Sequence, residues 1–211
     1  MHKRICAAGL FLLTGCATPE SGEALKSTFD TGVAAYDAGD YAKAYKIWSG
    51  IDDIDLAAMR NVAMMLRKGE GVAKNPKKAE ELYETAAEAG LPTAQADLAD
   101  MLLKGEAGSP NPKAALPLLE AAAAANHPVA QFELGQMYET GQDGLVAKDI
   151  AVARQLYISA ASHGMKEAQD RLDQLGKDGD TGGAVRLMQP APASPATTMS
   201  ASSGTLQPAR P

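Results

Sequence analysis

The chain is poor in cysteine and in aromatic residues, and it has no excess of positive charge. Its 211 residues include two cysteines, one tryptophan and three phenylalanines, and its formal net charge is −6 at pH 7. An acidic chain is poorly suited to bind nucleic acid or anionic lipid headgroups, because both of these ligands are negatively charged. The composition therefore argues against a nucleic-acid-binding protein.

Both cysteines lie within the first sixteen residues. A basic segment at residues 2–4 precedes an apolar stretch at residues 5–13 that is too short to span a bilayer, and Leu13-Thr14-Gly15-Cys16 follows. This order of segments resembles a bacterial lipoprotein signal, in which the final cysteine is lipidated and becomes the first residue of the mature chain. We therefore expect residues 1–15 to be a signal peptide. The alternative is an ordinary signal peptide in which the cysteine occurs by chance.

Lipidation of Cys16 would determine both the chemistry and the location of the mature chain. Cys6 leaves with the signal, so the folded domain would contain no disulfide, no free thiol and no cysteine metal site. Residues 16–22 would form a short lipidated tether, and several acyl chains hold a protein stably in a bilayer. Ala17 is of the residue type that outer-membrane sorting prefers after the cysteine. The expected location is the bacterial cell envelope, lipid-anchored in the outer membrane and facing the periplasm.

A sequence motif recurs at a step of thirty-six residues, beginning with Ala58, Ala94 and Ala130. Other repeated positions are Val62, Leu98 and Leu134, then Met65, Met101 and Met137, then Gly69, Gly105 and Gly141, and then Tyr83, Leu119 and Tyr157. The last unit is two residues longer between Gly141 and Ala153, which places an insertion in a loop around Gly144-Leu145. A repeat at this step indicates stacked helical units, and such arrays usually bind rather than catalyse.

Each unit is predicted to contain two helices. Apolar residues in its first half follow the spacing of one helical face, and Gly69 is placed to end that helix with a positive φ. Asn75-Pro76 and Asn111-Pro112 put a capping side chain before a proline at the start of the second helix, and Asp149 can cap the third copy. A degenerate first unit runs from Phe29 to Trp48.

The pattern therefore predicts an all-α fold. We expect an α/α solenoid, wound as a right-handed superhelix, with about four helix-turn-helix repeats plus a capping helix over residues 23–176. The repeat pattern ends there. Residues 177–211 are rich in proline, alanine and serine, which predicts a disordered tail.

The residues of the repeat resemble a known family. The motifs that carry the resemblance are Ala-x-x-x-Leu-Gly-x-x-Tyr from Ala130 to Tyr138, Gly69-Glu70-Gly71-Val72, Lys78-Ala79, and Ala86-Ala87 followed by Gly90. They resemble the Sel-one-like repeat (SLR) family, which is related to tetratricopeptide repeats. The resemblance implies an α/α superhelix that serves as an adaptor or assembly scaffold. Ala63 and Ala99 depart from the family pattern, which has glycine at the position of Gly135.

An enzyme is the alternative, because some cysteine-rich SLR proteins are described as β-lactamases. Those relatives staple each unit with a cysteine pair, which the domain lacks. The sequence contains no Ser-x-x-Lys, Gly-x-Ser-x-Gly or His-Glu-x-x-His motif. His127 and His163 do not occupy equivalent positions of the repeat. We therefore expect no catalytic residue, no metal site and no cofactor, and a β-lactamase-like or cell-wall hydrolytic enzyme stays the second hypothesis.

Positions two, six and nine residues after the first alanine of each unit point away from the core stripe. In tetratricopeptide-like stacks this side lines a concave groove. The candidate groove residues are Arg60, Met64, Arg67, Asp100, Leu103, Phe132, Gln136 and Glu139. Charge would run from basic to acidic along them. Phe132 is the leading candidate for partner contact if it is exposed, because exposed aromatics often dominate interfaces; the alternative is that an adjacent loop covers it.

The sequence thus predicts a non-enzymatic, membrane-anchored periplasmic scaffold or adaptor. It would bind a protein or peptide partner in the groove, contact the membrane through Cys16, and help to assemble or regulate an envelope, secretion or surface structure. Direct attachment to peptidoglycan is a third hypothesis, which the acidic charge and the scarcity of aromatic residues disfavour.

Overall fold

The computed structural model describes residues 19–142 and 144–177, and in these ranges the chain forms nine α-helices. They are α1 (Pro19–Asp37), α2 (Tyr41–Trp48), α3 (Leu56–Lys68), α4 (Pro76–Glu88), α5 (Pro92–Lys104), α6 (Pro112–Ala124), α7 (Pro128–Thr140), α8 (Ile150–Ser162) and α9 (Lys166–Lys177). Each helix packs against the next one along the chain. The predicted all-α helical repeat solenoid is confirmed. Within the same ranges, no helix is long and apolar enough to cross a bilayer.

The second helix of each repeat begins at the predicted cap. The side chains of Asn75 and Asn111 each accept a hydrogen bond of 3.1 Å from the amide three residues later. Asp149 accepts two such bonds, of 2.9 and 3.0 Å, from the first turn of α8. These bonds give a partner to amides that have none within the helix. Pro76 and Pro112, at the first helical position, have no amide hydrogen that would need a partner.

One backbone hydrogen bond closes the loop between the two helices in all three full repeats. The amides of Asn75, Asn111 and Asp149 donate to the carbonyls of Leu66, Leu102 and Tyr138 at 2.8, 2.8 and 2.7 Å. The third repeat keeps this bond although its loop is two residues longer. The added length forms a turn that includes Gly144, whose φ is +75°, beside an isolated bridge between Gln142 and Val146. The predicted insertion is therefore a loop.

Large side chains from the second helix of each unit fill the core. Trp48, Tyr83, Leu119 and Tyr157 occupy equivalent places, and each is at most 2 % exposed. Gly135 faces the ring of Tyr157 so closely that a Cβ at this position would lie 2.7 Å from Cε1. The predicted packing of Met65, Met101 and Met137 in the core is confirmed, since all three side chains are buried.

The first unit docks onto the second through the loop that follows α3. The Tyr36 hydroxyl donates to Glu70 at 2.7 Å. Gly71, with φ +70°, passes directly over the backbone of Tyr41 at the start of α2, where a Cβ would overlap the carbonyl group. The Gly69-to-Val72 motif is thus needed where two units meet.

The helical region is slightly longer than predicted. α1 begins at Pro19, before the expected boundary at residue 23, so part of the predicted tether 16–22 is helical. Proline suits this position because the first turn of a helix needs no amide donor there. α9 ends at Lys177, one residue beyond the predicted end. The predicted signal peptide 1–15, the lipidated Cys16 and the tail from residue 178 lie outside the described residues.

Candidate functional site

Two adjoining cavities open along the first helices of the three repeats, α3, α5 and α7. The first cavity has a volume of about 580 Å³ and lies between α3 and α5, with Arg60, Met64 and Arg67 in its lining. The second has a volume of about 410 Å³ and lies between α5 and α7, with Leu103 and Gln136 in its lining. Both cavities share Asp100 and Lys104. We call the two cavities together the groove.

Ion pairs between α3 and the next repeat line the first cavity. The Nε of Arg60 donates to Asp97 at 2.5 Å. Arg67 donates to Asp100 at 2.5 Å and to Glu106 at 2.7 Å, so one guanidinium joins two carboxylates. These five side chains are mostly buried. The charges of Arg60 and Arg67 are therefore neutralised within the protein, while Lys68 and Lys74 add positive charge to the same lining.

The ion pairs change the proton affinity of the carboxylates. The hydrogen bond from Arg67 lowers the pKa of Glu106 below its usual value. Burial opposes ionisation of Asp100, but hydrogen bonds from Lys104 and Arg67 outweigh it and lower the pKa of this group as well. Both carboxylates are thus held in their charged form.

The second cavity contains a carboxylate in the opposite situation. Glu133 projects from α7 into this cavity, and its Oε2 is shut off from solvent without a hydrogen-bond partner among the described residues. Burial, with a smaller effect of the nearby negative charge of Asp100, raises the pKa of Glu133 to about 7. Among the described residues this carboxylate has no ion-pair partner, and burying an unpaired carboxylate is costly.

A third set of contacts joins α7 to α8 and α9. Glu139 is only 8 % exposed and accepts hydrogen bonds from Arg171 and from the Tyr157 hydroxyl. The bonds from Arg171 lower the pKa of Glu139. The ring of Phe132 packs on Tyr157 with a centroid separation of 5.5 Å. The polar groups in this set of contacts therefore pair with one another.

The Sel1 repeat family model matches residues 56–91, 92–127 and 128–165, which together make up more than half of the chain. The chain belongs to the Sel1 repeat family. The third matched Sel1 repeat is the longer one, in agreement with the insertion in its loop. No curated protein matches the chain.

Solved structures of Sel1 repeat proteins have the same fold. A Sel1 repeat protein from Oxalobacter formigenes is 32 % identical with a TM-score of 0.67, over 72 % of this chain and 61 % of that one. A protective antigen of uropathogenic Escherichia coli with an SLR fold is 25 % identical with a TM-score of 0.66, over 75 % and 35 %. An immunity protein from Pseudomonas aeruginosa is 26 % identical with a TM-score of 0.55, over 76 % and 60 %. The chain thus spans less than two thirds of each of these relatives.

Equivalent positions of successive Sel1 repeats explain why the cavities differ. Arg60 contacts Asp97, thirty-seven residues later, across the boundary between the first and second repeats. The same step from the second repeat to the third leads from Ala96 to Glu133. Glu133 therefore stands where Asp97 stands, but the residue that should pair with it is an alanine.

The structure brings together six of the eight predicted groove residues and places two elsewhere. Arg60, Met64, Arg67, Asp100, Leu103 and Gln136 line the cavities. Phe132 is half-buried with its ring against Tyr157, and Glu139 is buried beneath Arg171, so neither of them lines a cavity of the groove. Arg60 and Arg67 are paired with carboxylates, but Lys68 and Lys74 also line the first cavity, so the run of charge from basic to acidic stays a prediction. A partner-binding role for any of these residues stays a prediction.

Sequence reasoning missed four residues at Sel1 repeat boundaries: Asp97, Glu106 and Arg171, which form ion pairs, and Glu133, whose Oε2 has no partner among the described residues. They could have been found by comparing each groove residue with the residue beside its equivalent position in the next repeat, rather than with residues of its own repeat. The two histidines serve helix ends, since His127 caps α7 through its Nδ1 and His163 lies at the end of α8. Among the described residues, no group of His, Cys, Asp and Glu could hold a metal ion.

Replacement of Glu133 by Gln should change how stability depends on pH. The pKa of this carboxyl is 4.5 in the unfolded chain and about 7 in the fold, so wild-type protein loses stability as pH rises through this window. Glu133→Gln stays neutral and should be more stable than wild type at pH 8, with little difference at pH 5. Urea midpoints at both pH values measure this, with Glu120→Gln on the exposed face of α6 as control. Identical pH dependence in Glu133→Gln and wild type would contradict the expectation.

Proposed function

We propose that the chain is a non-enzymatic scaffold that binds a segment of a protein partner in the groove. Sel1 repeats generally mediate protein–protein interaction. The observation that carries the proposal is the pair of adjoining cavities along α3, α5 and α7, whose lining combines paired charges with apolar side chains such as Met64 and Leu103. Interfaces of this composition fix the position of a bound segment through polar groups and gain affinity from apolar contact.

The proposal places this scaffold in the bacterial cell envelope. A lipidated Cys16 would attach the chain to the outer membrane, facing the periplasm, and the scaffold would help to assemble or regulate an envelope, secretion or surface structure. Support for the location comes from the order of basic, apolar and Gly15-Cys16 segments at the start of the sequence. α1 begins at Pro19, so the solenoid would sit next to the bilayer.

Photo-crosslinking in intact cells tests both parts of the proposal. A photoreactive amino acid replaces Gln136 or Lys104 in the groove, and Glu84 or Lys113 on the second helices, since all four side chains are exposed. We expect discrete crosslinked products from the groove positions alone, recovered in the membrane fraction, and Cys16→Ala should release them to the soluble fraction. Equal products from both faces would refute the groove assignment, and unchanged membrane recovery of Cys16→Ala would refute the anchor.

A further inference from the structure

The middle of the groove holds a carboxylate for which the described residues supply no partner. Three boundaries between first helices follow one another along the solenoid. At the first, Arg60 and Arg67 pair with carboxylates of α5, and at the third Arg171 pairs with Glu139. At the middle boundary, between α5 and α7, Glu133 has an oxygen without a hydrogen-bond partner in the described part of the chain.

The repeat geometry shows which kind of group is missing. The first helices stack in the same way at each repeat step, so the contact between Arg60 and Asp97 predicts a guanidinium beside Glu133. Ala96 occupies that position, and its methyl group carries no charge that could pair with Glu133. Arg67 is likewise replaced by Leu103, so the middle boundary lacks both arginines that the first boundary has. The second cavity of about 410 Å³ has both Leu103 and Glu133 in its lining.

The charged groups that face Glu133 do not neutralise it. Asp97 and Asp100 of α5 raise its pKa, whereas Lys104 of α5 and Arg67 of α3 lower it. Lys104 is bound to Asp100 at 2.7 Å, with 59 % of its side chain exposed, and Arg67 is held by Asp100 and Glu106. Burial remains the largest influence on Glu133. A cation from outside the chain would therefore meet an unpaired carboxylate.

The lining of the second cavity suits arginine in particular. Leu103 and Met137 can pack against an aliphatic stem, while the side-chain oxygens of Gln136 and Thr140 lie in the same lining and can accept hydrogen bonds. A guanidinium presents several donors in a planar fork that matches a carboxylate, which an ammonium group cannot do. Rotation about the last bond of Glu133 can turn either oxygen toward the cavity.

We propose that the second cavity receives an arginine side chain of the bound protein segment, paired with Glu133, while a neighbouring apolar side chain of that segment packs on Leu103. This inference rests on the proposed function and specifies the chemistry of the partner. The arginine of the partner takes the place that Arg60 occupies at the first boundary. Binding requires the ionised form of Glu133, so affinity increases as pH rises from about 6 to about 8.

Two synthetic peptides test the inference with the purified chain. Acetyl-Leu-Arg-Leu-amide carries the guanidinium, and acetyl-Leu-citrulline-Leu-amide is its neutral counterpart of nearly the same shape. Titration followed by amide chemical shifts at pH 8 should show the arginine peptide binding on the order of tenfold more tightly, with shifts at Leu103 and Glu133. Glu133→Gln should abolish this preference, whereas Glu120→Gln on the exposed face of α6 should keep it. The preference should also shrink at pH 6.

The outcomes separate this inference from the proposed function. No preference for arginine in wild type, or a preference that Glu133→Gln leaves intact, would overturn the arginine assignment. Crosslinking from Gln136 in cells would then still support a groove that binds a different segment. If the groove positions give no crosslinked product at all, the proposed function fails, whatever the peptides do.

Discussion

Tyr157→Ala should lower the free energy of unfolding by about 3–5 kcal/mol, the usual cost of removing a buried aromatic ring. Tyr157 is fully buried, packs on Phe132, and donates a hydrogen bond of 2.7 Å to Glu139. Its ring also fills the space that Gly135 leaves open, so truncation would create a void between α7 and α8. Urea denaturation followed by circular dichroism would measure the loss.

Tyr157→Phe is the matched control for the hydrogen bond. It keeps the ring and removes the hydroxyl, and Glu139 still has Arg171 as a partner. We expect a loss of about 1 kcal/mol, typical of one hydrogen bond. If Tyr157→Ala cost no more than Tyr157→Phe, the ring would not be the main contact that holds α7 and α8 together.

Gly71→Ala should detach the first unit from the rest of the solenoid. The substitution costs about 1–2 kcal/mol because φ is +70°, and it also forces a Cβ into the backbone of Tyr41, where nothing flexible can move aside. We expect a total cost of about 3 kcal/mol, concentrated in the contact between α2 and the loop after α3. Amide hydrogen exchange should show about a hundredfold faster exchange in α1 and α2, with α5 to α9 unaffected.

Gly90→Ala separates the conformational cost of a positive φ from the cost of close contact with the backbone of Tyr41. Gly90 has φ +86°, and a Cβ added to it would have no atom within 4 Å, so its replacement meets the conformational cost alone. We expect about 1 kcal/mol for this variant. Equal effects of Gly71→Ala and Gly90→Ala would show that close contact with Tyr41 contributes nothing to docking of the first unit.

The helices and their ends could be predicted from the sequence because both depend on local chemistry. Asn75 and Asn111 each precede a proline, and this pair of residues specifies a helix start whatever surrounds it. Asn126, with φ +63°, stands where Gly90 and Gly164 end the second helices of the other two full repeats. The thirty-six-residue step then determined which helices stack, because apolar faces at equivalent positions must pack together.

The groove was only partly predictable because its contacts join residues of different repeats. The helical period showed that Arg67 lies on the groove side, but not that Asp100 and Glu106 neutralise it. Likewise, Phe132 occupies a groove position in the helical period, yet its ring contacts Tyr157 and lines neither cavity. Such pairings depend on the distance between the first helices of adjacent repeats. The sequence of a single repeat does not determine that distance.

The loop between α7 and α8 is longer than its counterparts, yet the same backbone hydrogen bond closes it. Asp149 still bonds to the carbonyl of Tyr138 although two residues have been added, so the extra backbone leaves the bond that closes the loop in place. Gly144, at its turn, has no atom within 4 Å of an added side chain. Because Gln142 of the same loop lines the second cavity together with Glu133, a fluorophore introduced at this turn would report on occupancy of the groove from its edge.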